Sequence, residues 1–229
     1  MGLGHSPRIV TDGLVLCLDA ANSRSYPKTG TTWTDRSTSG NNGTLTNGPT
    51  FDSANRGSIV FDGSNDYVEL VATGSEYNFS NLSVGCWFKT STTSSNATTL
   101  VSKMSNFTTS LFGWDLTVAA SNGNLAWTPR YQGGSATATG DYRDGNWHYA
   151  VGTHDGASPK IYVDGVLKAT GSNSNTSNSS LSVFIGAWGI TATLAYYSEA
   201  NIASAHIYNK TLDDSEVLQN YLAARGRYE

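Results

Sequence analysis

The side chains able to do chemistry are few and scattered. Carboxylates come closest together at Asp62, Asp66 and Glu69, and again at Asp213, Asp214 and Glu216. Cleaving a glycosidic bond needs two carboxylates about 5–9 Å apart on opposite sides of it. On a strand, residues two or four apart point the same way. The first acidic group falls mostly on a turn and the second at a helix start, so neither offers that pair. The histidines His5, His148, His154 and His206 lack zinc-pair spacing, and no Cys-x-x-Cys accompanies them. There is no nucleophile elbow and no phosphate-cradling glycine loop. No catalytic residue is expected. Cys17 and Cys86 lie inside apolar runs and read as buried thiols; whether they lie near each other depends on strand order.

Two kinds of recognition remain. A hard cation needs carboxylates and loop carbonyls, and Asp62 in Phe61-Asp62-Gly63 is the candidate metal ligand, its alternative being a turn hydrogen bond. A sugar needs exposed aromatic rings with Asn, Asp or Gln nearby. Trp188, Tyr196 and Tyr197 are the candidate carbohydrate-binding residues, with Trp127 and Tyr131 behind them. Tyr196-Tyr197 lies beside a loop, so at least one ring is expected to be exposed. Trp114 and Trp147 fall on apolar faces and are read as packing residues.

The elements that must position these groups are β-strands. Asp164-Gly165 folds the run Lys160 to Ala169 in half, a strong hairpin signal because such a turn needs φ > 0 at both central residues. Trp147 to Thr153 alternates Trp147, Tyr149 and Val151 against His148, Ala150 and Gly152, which makes the region a three-strand meander. Strands are also expected at Gly13–Asp19 (Leu14, Leu16 and Leu18 on one face, Val15 and Cys17 on the other), within Ser58–Leu70 (turned at Gly63-Ser64-Asn65 into a pair), and at Asn81–Thr90, Thr99–Lys103, Leu111–Ala119 and Asn124–Gln132. Leu181–Trp188 and Ala200–Tyr208 complete the set. Ala20–Pro49 reads as a loop anchored by Trp33 and Leu45, and Asn122-Gly123 as a second hairpin turn. The one helix spans 213–225, with Asp213 as N-cap and Glu216 closing a capping box. Its face Val217, Leu218, Tyr221 and Leu222 is expected to pack on the sandwich or on a partner.

Net charge is −4 with only 14% charged residues, which excludes a nucleic-acid binder held by phosphate contacts. No run approaches the ~20 apolar residues of a membrane span, so no membrane insertion is expected. The pattern predicts an all-β, two-sheet antiparallel sandwich or jelly roll with a C-terminal helix. Residues 1–12 are expected to form an N-terminal arm and residues 13–229 a single domain.

The ordered motifs DGLVLCLDAANSRSYP, WTDRSTSGNNGTL, SIVFDGSNDYVEL, NLSVGCWFKT, NWHYAVGTHDG, KIYVDGVLKATG and NIASAHIYNKTLDDSEV resemble the laminin-G/pentraxin-like branch of the concanavalin A-like lectin/glucanase superfamily. The resemblance implies a jelly roll with one concave sheet that binds sugars, proteins or calcium, or is purely structural. The Glu-x-Asp-x-(x)-Glu strand of the laminarinase-like relatives is absent. Many relatives carry an Asp in the last strand where this chain has Ala203, which removes a calcium ligand. No cofactor is required by this reading; a structural calcium would sit at Asp62.

The ends DGLVLCLDAAN and SEVLQNYLAARGRYE are similar to stand-alone versions encoded by tailed bacteriophages. With no secretory signal, they imply a non-catalytic virion structural protein, a head decoration or a tail or fibre component. It would be assembled in the host cytoplasm, touching other virion proteins and itself and binding host surface glycans. The alternative is a carbohydrate-binding adhesion module without a structural role. A glycoside hydrolase is a distant third.

Overall fold

The computed structural model describes residues 7–71, 77–104, 113–130, 134–172, 181–189, 194 and 196–228. Its strands, in chain order, begin with β1 (Leu14–Asp19), β2 (Thr32–Trp33), β3 (Gly43–Thr46), β4 (Thr50–Asp52) and β5 (Ser58–Asp62). Then come β6 (Tyr67–Leu70), β7 (Leu82–Lys89), β8 (Thr98–Met104), β9 (Gly113–Val118), β10 (Leu125–Arg130) and β11 (Ala136–Ala138). The last are β12 (Trp147–His154), β13 (Pro159–Val163), β14 (Val166–Thr170), β15 (Val183–Ile185) and β16 (Glu199–Tyr208), before helix α1 (Asp214–Ala224).

They form two antiparallel sheets packed as a sandwich. The first runs β14-β13-β12-β7-β16-β5-β4, and β1 also pairs with β16. The second runs β11-β10-β9-β8-β15-β6-β3-β2. β16 is long enough to hold β5 along Glu199–Ile202 and β1 along Ser204–Tyr208. The register shift between Ile202 and Ser204 leaves Ala203 at a bulge, where its carbonyl accepts the Ala20 N–H at 2.9 Å.

Alternation decides which side chains fill the core. On β7, Leu82, Val84, Cys86 and Phe88 face the sandwich interior, while Trp87 faces outward. Trp127 spans the two sheets: its indole N–H donates to the Thr153 carbonyl across the core at 3.1 Å. The opposing residue must be Gly152, because a Cβ there would lie 2.2 Å from the indole. Cys17 pairs with His206 and Cys86 with Ala205, so β16 separates the two thiols, and both are free.

The expected meander forms, with Asp164 at φ 53° and Gly165 at φ 78° in its tight turn. Three expectations are corrected. Ser58–Leu70 is not a hairpin: β5 lies in the first sheet and β6 in the second. The buried Asp66 carboxylate accepts the Asp62 N–H at 3.3 Å, holding a corner that crosses the sandwich. Ala20–Pro49 contains β2 and β3, with Trp33 and Leu45 buried as anchors. Leu14, Leu16 and Leu18 do not share one face, because the register shifts between Leu14 and Leu16; Leu14 packs on the outer cluster instead. β11 carries no strong pattern in the sequence and pairs with β10.

α1 starts where the capping box places it. The Asp213 carboxylate accepts the Ser215 and Glu216 N–H groups, both at 2.9 Å, and Glu216 accepts the Asp213 N–H at 3.1 Å. Such a cap stabilises by about 0.5–2 kcal/mol. The helix and the turn after it cover the outer face of the first sheet. Val217 is fully buried there, and Tyr228 lies 4.2 Å from the Trp87 ring and 4.8 Å from the Trp147 ring. The described segments near both termini are fastened by side-chain contacts. Val10 N–H donates to Asn220 at 2.7 Å, and Arg227 makes a two-pronged pair with Asp19, each contact 2.9 Å. Among the described residues no helix is long and apolar enough to cross a membrane.

Candidate functional site

The aromatic candidates lie on and beside the outer face of the second sheet. On β9 the core takes Trp114 and Leu116, so Asp115 faces away from it. Cross-strand pairing places Glu69, Phe184, Ser102, Asp115 and Thr128 in one lateral row. Trp188 lies against this row: its indole N–H donates to Asp115 at 3.1 Å. The ring is only 6% exposed. Tyr196 leans on it at 5.8 Å and is itself 38% exposed. Tyr196 has φ 50°, a left-handed backbone that a non-glycine residue rarely adopts. Tyr197 is half-buried, 6.5 Å from Tyr67, which in turn meets Phe184 edge-on at 5.9 Å. Burial, then the neighbouring Tyr67, pushes the Tyr197 phenol above its ordinary pKa. Glu69 accepts the Ser182 hydroxyl at 2.9 Å.

Trp188 and Tyr196 are thus brought together over Asp115, while Tyr197 sits on Tyr67 near Glu69, three strand spacings (about 14 Å) along the row from Asp115. Trp127 is not with them: it is fully buried between the sheets and offers no face to a ligand. Tyr131 lies outside the described residues. Asp115 was missed because nothing local marks it; only the pairing of β8, β9 and β15 puts it under Trp188.

Asp62 does not fit a calcium site. One of its oxygens accepts the Ser64 N–H at 2.8 Å, which makes it a turn residue. Its neighbour Asp66 has its pKa raised by burial and then by Asp62, and its carboxylate is spent on the Asp62 N–H. Ala203 supplies no side-chain oxygen. Among the described residues no three His, Cys, Asp or Glu side chains converge.

Two other clusters have catalytic-looking members. His148 places Nδ1 2.9 Å from Asp164 and Nε2 3.3 Å from Asp144. Burial lowers its pKa, but the bonds and charges of the two carboxylates outweigh that and raise it. With a carboxylate at each nitrogen, the ring is a brace between β12 and the β13–β14 turn, not a base aimed at a nucleophile. Cys17 and His206 are cross-strand partners. Burial pushes the thiol up to about 12 and the imidazole down to about 4, the reverse of an activated thiolate–imidazolium pair.

A polar cleft on the outer face of the first sheet was not anticipated. It encloses about 310 Å³ between β5, β7 and β16, lined by Lys89, Thr90, Ser91, Thr92, Glu199 and Asn201, with Val60 as its outward-facing apolar residue.

Comparison with known proteins gives the family. A laminin-G model of the concanavalin A-like lectin/glucanases superfamily matches residues 62–218. The chain belongs to that superfamily. No curated protein sequence matches it. Similar solved structures include the botulinum neurotoxin serotype D binding domain, at 18% identity and TM-score 0.64, covering 93% of this chain and 52% of that one. The Trypanosoma rangeli sialidase in complex with sialic acid is similar at 15% identity and TM-score 0.70, covering 98% of this chain and 36% of that one. The binding domain of Paraclostridial Mosquitocidal Protein 1 is similar at 15% identity and TM-score 0.68, with 91% and 52% covered. This superfamily member therefore spans about half or less of these neighbours, and at such identities the likeness is one of fold.

Proposed function

We propose that this chain is a non-catalytic carbohydrate-binding module whose sugar lies on Tyr196, beside Tyr197 and the Trp188–Asp115 pair. One observation carries the reading: a part-exposed ring in a strained backbone, braced by a second ring whose position a carboxylate fixes. A pyranose presents C–H groups to a π face and hydroxyl donors to carboxylates, and Asp115 and Glu69 suit a neutral sugar better than an acidic one. One structural neighbour, the botulinum neurotoxin serotype D ligand binding domain, of which this chain spans 51%, is known in complex with N-acetylneuraminic acid. Screening the protein against neutral host polysaccharides tests the proposal. Saturable binding weakened about tenfold by Tyr196→Ala is expected, equivalent to about 1.4 kcal/mol; no binding to any polysaccharide favours a purely structural role.

The narrower reading is a structural component of a tailed-phage particle, located in the virion, with other virion proteins and further copies of itself as partners. It rests on the resemblance of the segments DGLVLCLDAAN and SEVLQNYLAARGRYE to phage-encoded versions, two segments that pair through Asp19 and Arg227. Mass spectrometry of purified particles tests it, and absence of the protein from them ends it. A hydrolase is the competing class; reducing ends released from β-glucan, and abolished by an acidic substitution, would overturn the non-catalytic reading.

A further inference from the structure

The cleft on the first sheet lies on a different sheet from the aromatic cluster and is built from different chemistry. Lys89 on β7 is the cross-strand partner of Asn201 on β16 and of Trp147 on β12. Cross-strand partners share a face, and Glu199, two residues before Asn201, shares it too. Lys89 Nζ stands 5.4 Å over the Trp147 ring. Neither Lys89 nor Glu199 belongs to an ion pair among the described residues. A cation held by a π face keeps its charge and its donors. Glu199 uses one oxygen to accept the Thr92 hydroxyl at 2.7 Å. Asn201 donates to Ser58 at 3.1 Å, which fixes an amide whose carbonyl is an acceptor. The cleft therefore offers a positive end, a row of acceptors and one apolar contact, Val60, the cross-strand partner of Asn201. Its volume of about 310 Å³ is at the small end of ligand sites, roughly 300–1,000 Å³, and suits a single ring.

We propose that this cleft binds a carboxylate-bearing monosaccharide, a uronic acid unit, with the carboxylate on Lys89 and ring hydroxyls on Glu199 and Asn201. The site is independent of the one proposed on the second sheet. A neutral sugar leaves Lys89 without a counter-charge. An α-amino acid satisfies the two charges but leaves the Asn201 carbonyl and Val60 unused.

The test is an NMR titration of the ¹⁵N-labelled full chain with galacturonate, galactose and glycine, reading the Trp147 and Trp188 indole N–H signals separately. Galacturonate should shift Trp147 saturably and leave Trp188 in place. Lys89→Gln should weaken that binding about tenfold or more, Lys89→Arg should retain it, and Tyr196→Ala should not change it. Circular dichroism confirms that each variant is folded, and the charge-retaining Lys89→Arg decides the matter if Lys89→Gln is not. The proposal is overturned if galactose or glycine binds as tightly as galacturonate, if Lys89→Gln binds like wild type, or if galacturonate gives no saturable shift at Trp147. A neutral sugar that shifts only Trp188 bears on the aromatic site and leaves the galacturonate result to decide this one.

Discussion

Asp115 accepts the indole N–H of Trp188 at 3.1 Å, so a carboxylate on the outer face of β9 fixes the ring against which Tyr196 leans. Asp115 is only 6% exposed, and removing one partner of a buried hydrogen bond costs about 1–3 kcal/mol. Asp115→Ala should lower the free energy of unfolding, read by urea titration, by that amount and loosen the Trp188–Tyr196 pair. Asp115→Asn retains an acceptor oxygen and should cost less. Equal, negligible costs in both variants would show that the contact does not anchor the ring.

The Asp19–Arg227 pair ties the first strand to the last turn at two contacts of 2.9 Å. Both side chains are mostly shielded, at 17% and 26% exposed, so the pair is screened less than an exposed bridge, which is worth about 0–1 kcal/mol. A double-mutant cycle of Asp19→Ala and Arg227→Ala should return a coupling of about 1–2 kcal/mol. Deleting residues 225–229 should remove Tyr228 from Trp87 and Trp147 and red-shift tryptophan emission. An unshifted spectrum contradicts the packing described.

Two histidines make stability depend on pH in opposite senses. His148 has its pKa raised by Asp164 and Asp144 against the pull of burial. Its contribution is complete below the unfolded value of about 6.5 and is lost as pH rises through the higher folded value. Burial lowers His206 to about 4, so the unfolded chain takes up a proton that the fold excludes. That removes stability as pH falls from about 6.5 towards 4, by about 3 kcal/mol in all. Urea unfolding across this range should show His206→Leu flattening the acid side and His148→Gln flattening the neutral side. Parallel curves for wild type and both variants would refute these assignments.

The donor set at Asp62 does not fit calcium, so calcium should leave the melting temperature unchanged. A site filled at 100 times its Kd would add about 2.7 kcal/mol, which raises Tm by several degrees in a domain of this size, at about 2–4 °C per kcal/mol. A rise of that size, reversed by a chelator and absent in Asp62→Asn, would restore Asp62 as a ligand.

Local chemistry made some of this fold readable. Asp164-Gly165 announces its turn because few residue pairs accept φ > 0 twice, and Asp213 with Glu216 announces the start of α1 because a helix must satisfy its first N–H groups. The corner at Gly63 was misread because the same turn residues serve a hairpin and a crossing between sheets; the difference lies in where β6 finds partners. Trp127 was misplaced although a local sign existed, since it follows Leu125 by two residues and so shares its buried face. Tyr196 and Trp188 could be nominated from residue type and loop position. The Lys89–Asn201–Glu199 cleft could not, because it joins β7 to a strand more than a hundred residues later, and no local pattern carries that register.

The central claim is that a sugar is held on Tyr196 beside Trp188. The most direct measurement is isothermal titration of a neutral polysaccharide that the protein retains in a screen, with wild type, Tyr196→Ala and Tyr196→Phe compared. The account predicts about tenfold weaker binding for Tyr196→Ala and near-wild-type binding for Tyr196→Phe, since Phe keeps the π face. Undiminished binding by Tyr196→Ala would contradict it.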